Sequence, residues 1–137
     1  MKKLMIVLLV LLSQVSVAQA ARQNLCRVWY SFDIFQTYLH LSVDAQESLL
    51  IMDRHIPYGI RPYGYEITKA VCDKNQTAVQ VFAKSVLGET ILLNFQAQGE
   101  SEVQAGTVSY LNEEGAPVSS KTWECSAQAM KDLCAAL

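Results

Sequence analysis

The sequence predicts a β-dominated α+β domain: an antiparallel sheet or small barrel of six to seven strands with one or two short helices. Three observations lead there. Short runs rich in aromatic and β-branched residues recur along the chain, several of them alternate with period two, and turn-forming clusters separate them. Only the alanine-rich tail "AQAMKDLCAAL" places its apolar residues (Ala129, Leu133, Ala136) at helical spacing.

The N-terminus has the form of a secretory signal. "MKK" is a basic start, Leu4 to Leu12 is an apolar run, and Ala18 and Ala20 form an A-x-A cleavage pattern. The run is shorter than the ~20 residues that span a bilayer. Residues 1–20 are therefore expected to be removed, leaving residues 21–137 as one domain without a membrane anchor. Cys26, six residues past Ala20, is not in the position required for lipid attachment. The style of the leader is bacterial and points to the periplasm of a Gram-negative cell.

The elements follow in order. "LCRVWYSF" (residues 25–32) reads as a first strand, and "TYLHLSV" (residues 37–43) alternates cleanly as a second. "DAQESLLIM" (residues 44–52) is expected to open a short helix, because Asp44 followed by Glu47 makes a capping box. "RHIPYGIRPYGYE" (residues 54–66) repeats the tripeptide PYG and reads as a loop. "YEITKAVC" and "QTAVQVFAK" are strand-like around the turn cluster "DKNQ", and Gly88 precedes "ETILLNFQA". "GTVSYLN" and "SSKTWECS" flank "EEGAP", the strongest hairpin signal in the chain.

Removing 20 of 137 residues leaves 117, enough for one core. Lys2 and Lys3 go with the leader, so nine basic residues face 13 acidic ones, a net charge of −4. The excess lies entirely in residues 75–137, with three basic side chains against seven acidic. No basic patch suits nucleic acid, whereas a cationic protein partner suits this balance.

Cys26, Cys72, Cys125 and Cys134 form an even set in an oxidising compartment and read as two disulfides. Three pairings are open. Cys26–Cys72 with Cys125–Cys134 is preferred, because the last two are nine positions apart and a single turn could join them. The spacings match no metal-ligand pair, and no metal or cofactor is expected.

Reactive groups do not converge. His40 lies in the alternating strand beside Tyr38 and Ser42, and His55 follows Asp53 and Arg54. No G-x-S-x-G elbow presents a nucleophile to either. Glu100 and Glu102, like Glu113 and Glu114, sit beside glycine in expected turns, where carboxylates are solvated. Calcium-loop and nucleotide-loop patterns are absent. A non-enzymatic, binding role follows as the expectation.

Binding surfaces favour aromatic anchors on braced loops. Arg54, His55, Tyr58, Arg61, Tyr63 and Tyr65 supply such a surface in the PYG segment, and Glu100 with Glu102 supply an acidic loop for a cationic cleft.

The layout of leader, single small domain and paired cysteines resembles the small periplasmic inhibitor proteins of Gram-negative bacteria. These include immunity proteins against type VI secretion effectors and inhibitors of lysozyme. The S-G-x-x-Y stretch of the lysozyme inhibitors is absent here. The resemblance implies a protein that binds a cationic secreted cell-wall hydrolase and occludes its active cleft. The alternative is a periplasmic ligand-binding or envelope-assembly accessory protein that recognises a glycan or peptide. A homodimer through exposed strand edges fits either reading.

Overall fold

The computed structural model describes residues 22–32 and 35–137, with side chains for 22–29 and 38–137. The expected leader, residues 1–20, lies outside the described residues. Eight antiparallel strands form a closed up-and-down barrel: β1 (Arg22–Phe32), β2 (Phe35–Asp44), β3 (Leu49–Ile56), β4 (Gly59–Cys72), β5 (Ala78–Lys84), β6 (Thr90–Gln96), β7 (Val103–Leu111) and β8 (Pro117–Ser126). One helix, α1 (Ala127–Ala136), follows directly. The β-dominated reading holds, but closure takes eight strands rather than six or seven. With β1 paired to β8, every strand has a neighbour on both sides.

The additional strand is β3, where a helix was expected. Asp44 does cap: its Oδ1 accepts from the backbone N–H groups of Gln46 and Glu47 at 3.1 and 3.2 Å. The chain then enters a left-handed conformation at Ser48 (φ 53°), whose carbonyl accepts from the N–H of Ile67. A cap interaction that could start a helix here closes a β-turn instead. Leu50 and Met52 then alternate into the core, a period-two pattern that the apolar run "SLLIM" conceals.

The buried inward positions are apolar: Leu41 and Val43, Leu50 and Met52, Val79 and Val81, Ile91 with Leu93 and Phe95, Val108, and Trp123. Outward neighbours such as Gln80, Lys84, Asn94 and Glu124 are exposed. This polarity is the reverse of a barrel whose outer face meets lipid. Leu25 and Cys26 are both buried although adjacent, because a bulge between Asn24 and Cys26 turns two consecutive side chains inward.

Helix α1 plugs one end of the barrel. Ser126 caps it, its Oγ accepting from the N–H of Ala129 at 3.1 Å, and Ala129, Met130 and Leu133 face the core. The helix leaves from β8, and a disulfide from Cys134 fastens its far end to Cys72 at the end of β4. In the strand order β4 lies opposite β8, so the ten-residue helix, about 15 Å long, bars the barrel base across its width.

The disulfides are Cys26–Cys125 and Cys72–Cys134, which corrects the expected Cys26–Cys72 and Cys125–Cys134 pairing. Closure makes Cys26 and Cys125 register partners although 99 positions separate them. Eight or so helical steps carry Cys134 about 12 Å from Cys125, beyond the reach of a disulfide. The two bonds fit an oxidising, extracytoplasmic compartment. No helix among the described residues is long and apolar enough to cross a membrane.

Candidate binding cavity

The end of the barrel opposite α1 carries the β3–β4, β5–β6 and β7–β8 hairpin turns, and there the interior is not filled. A cavity of about 440 Å³ opens at this end. Eight strands make a barrel whose interior is either filled by side chains or holds one small ligand. Here the two cases are stacked along one axis: a solid half over the helix and a hollow half at the mouth.

The ladder between β1 and β8 is short. That ladder contains Cys26↔Cys125 and Arg27↔Glu124, whereas β1 pairs with β2 from Arg22 to Phe32. The disulfide and the Arg27–Glu124 ion pair (3.5 Å) therefore clamp the seam at the helix end. Towards the mouth β8 contributes Ser119, Lys121 and Trp123 to the cavity wall.

The lining is graded. Met52, Val108 and Trp123 are buried and make an apolar floor; Leu39 sits level with its register partner Arg54, and Arg54, Tyr63 and Glu89 are exposed. Tyr65 and Tyr110 join the two zones. The Tyr65 hydroxyl donates to Glu89 Oε1 at 3.4 Å, and that of Tyr110 donates to Met52 Sδ at 3.8 Å. Burial, and then the neighbouring Tyr110 and Glu89, push the Tyr65 hydroxyl far above the usual phenol range, so it stays a neutral donor.

The PYG segment is a hairpin rather than a loop. β3 and β4 run through it in register from Leu49↔Glu66 to Ile56↔Gly59, leaving only Pro57 and Tyr58 in the turn. Alternation divides its tyrosines: Tyr65 is buried, Tyr63 lines the cavity, and Tyr58 is 96% exposed at the tip. Val86 and Leu87, at the β5–β6 turn, are as exposed as Tyr58, and Ile60 is also exposed. The mouth thus has an apolar rim.

His55 points outward. It packs edge-on to Tyr38 with ring centroids 5.3 Å apart and lies 6.3 Å from His40, and its Nε2 is buried without a hydrogen-bond partner. Asp53 pairs with Arg22, not with His55. Burial, then the charge of His55, hold His40 below the ordinary imidazole value. Glu100 and Glu102 lie on the β6–β7 connection, at the helix end. Glu102 accepts from the Ser126 hydroxyl and from the N–H of Gln128, so it is tied to the start of α1. The structure therefore brings Arg54, Arg61, Tyr63 and Tyr65 to one mouth and leaves Glu100 and Glu102 at the opposite end.

Leu39, Met52, Glu89, Val108, Tyr110, Ser119, Lys121 and Trp123 were not singled out from sequence. One signal for Lys121 was legible: it shares the alternation of the buried Trp123 and Cys125. Among the described residues no group of three His, Cys, Asp or Glu side chains could hold a metal ion. No protein-family model, curated protein or solved structure matches the chain.

Proposed function

We propose that the protein is a periplasmic binding protein, not an enzyme, whose barrel receives a small ligand with an apolar body. The observation that carries this reading is the cavity itself. Its volume of about 440 Å³ lies within the ~300–1,000 Å³ of small-molecule sites. An apolar floor with a few polar groups at the lip is the usual composition of such sites. The floor offers burial to an apolar ligand body, and the tyrosine and charged groups of the lip orient its polar end.

Trp123 on the floor makes the proposal measurable. With Trp29→Phe, Trp123 is the one remaining tryptophan and a donor to N-phenyl-1-naphthylamine, a neutral apolar probe. Saturable one-to-one energy transfer is expected, and Ser119→Phe, which crowds an exposed lip position without adding a donor, should abolish it. Probe binding that ignores Ser119→Phe, or no saturable binding, overturns the proposal.

A second reading is favoured by the rim. Tyr58, Val86 and Leu87 project from two adjacent hairpins, as anchors for a protein partner would. That surface suits an inhibitor or immunity protein that occludes a cationic cell-wall hydrolase. Affinity capture should then recover such a hydrolase with the wild type and lose it with Tyr58→Ala; recovery of none removes the reading.

A further inference from the structure

Arg54 and Arg61 are register partners across β3 and β4. Arg54 shares the alternation of Leu50 and Met52 and lines the cavity, and Arg61 shares that of Tyr63 and Tyr65. Both guanidinium-bearing side chains therefore start from the inner face of the hairpin at the lip. Side chains directly opposed on an antiparallel ladder have Cβ atoms roughly 4.5–5.5 Å apart, and like charges placed so oppose pairing. Arg54 and Arg61 take part in neither the Arg22–Asp53 nor the Arg27–Glu124 ion pair. The one carboxylate of the lining, Glu89, already accepts the Tyr65 hydroxyl. Two opposed arginines thus stand at the mouth of a cavity in a chain whose net charge is −2.

We infer that the Arg54–Arg61 pair is an anion site, and that the ligand is an amphiphile whose carboxylate or phosphate head binds there while its apolar tail fills the cavity. An oxyanion between two opposed guanidinium forks converts their repulsion into charge-assisted hydrogen bonds, which Arg can make two at a time. The buried floor of Met52, Val108 and Trp123 is apolar and takes the tail. The exposed apolar rim of Tyr58, Ile60, Val86 and Leu87 gives the tail a path that avoids a wholly polar surface. This inference rests on the cavity reading and adds the chemical class of the ligand.

Calorimetric titration of the purified protein with decanoate, decanol and inorganic phosphate tests it. Decanoate should bind at least tenfold more tightly than decanol, and phosphate alone more weakly than decanoate. Arg54→Gln and Arg61→Gln should each weaken decanoate at least tenfold and leave decanol unchanged. Arg61→Gln should also raise the unfolding midpoint of the unliganded protein, because it removes the opposed charge. Equal binding of decanoate and decanol, indifferent to both substitutions, overturns the anion site while leaving the cavity reading intact. Phosphate as tight as decanoate shows a free-anion site and overturns the amphiphile. Failure of all three, decanol included, overturns both readings.

Discussion

Cys26 and Cys125 face each other across the first and last strands, their Cα atoms 4.0 Å apart, and the bond between their sulfurs closes the barrel. Among the described residues only Arg27↔Glu124 accompanies them in that ladder. The seam is thus held chiefly by a covalent bond, and the adjacent ion pair between exposed side chains adds little. Replacing both cysteines by alanine should cost about 4–5 kcal/mol in urea unfolding, the chain-entropy value for a loop of roughly 100 residues. The Cys72/Cys134 pair, enclosing 62 positions, should cost about 4 kcal/mol by the same relation. The two variants should differ in hydrogen exchange: the first exposes β1 and β8 amides, the second those of α1.

Gly106 sits against that same bond. A Cβ added there would lie 2.7 Å from Cys125 Sγ and 3.5 Å from the Asn94 carbonyl and Phe95 Cδ2. The disulfide sulfur occupies the space of a side chain, so Gly106→Ala should destabilise by about 1–3 kcal/mol, the usual range for overpacking. In the Cys26→Ala/Cys125→Ala background the cost should shrink, and a double-mutant cycle in urea measures the coupling.

Helix α1 should be sensitive at its start and in its core face. Ser126→Ala removes the hydroxyl that accepts from Ala129 N–H and donates to Glu102, at an expected cost of about 1 kcal/mol. Leu133→Ala, at a fully buried position, should cost about 2–5 kcal/mol. Thermal and urea unfolding distinguish the two magnitudes.

His40 makes stability depend on pH. Burial and the nearby charges of His55, Arg22 and Arg27 lower its pKa from 6.5, and Asp53 opposes them only in part. The unfolded chain therefore binds more protons between that depressed value and 6.5, so stability rises with pH across this window. It is lost as pH falls through it. Asp73 is also held below its ordinary value, by the Thr77 hydroxyl and then the Ala78 N–H, and its contribution is lost only at more acidic pH. In urea titrations at a series of pH values, His40→Gln should flatten the upper slope and leave the acidic one. An unchanged upper slope would refute the assignment.

Much of the fold was legible because alternation is local. "TYLHLSV", "QTAVQVFAK" and "SSKTWECS" announce their inward faces without reference to any neighbour. β3 was not legible, since a capping residue is equally at home in a turn and the left-handed Ser48 leaves no mark on the sequence. The candidate site was half legible. Arg54, Tyr58, Arg61, Tyr63 and Tyr65 stood out as an unusual cluster, but whether each faces a cavity, the core or solvent depends on hairpin register. That the acidic loop of Glu100 lies at the opposite end from the PYG segment could not be read locally, because the barrel sends alternate connections to opposite ends.

What the amino-acid sequence determined alone is a strand-rich domain with paired cysteines, an aromatic and basic PYG segment, and a short terminal helix. Each of these follows from residue type and spacing within a dozen positions. What only tertiary structure decided is closure: which cysteines meet, that the helix fills one end, and that Arg54 and Arg61 stand together over a hollow lined by Trp123 and Val108. Those facts join residues as far apart as 99 positions. They are set by the register in which eight strands satisfy one another's backbone hydrogen bonds, which no local pattern encodes.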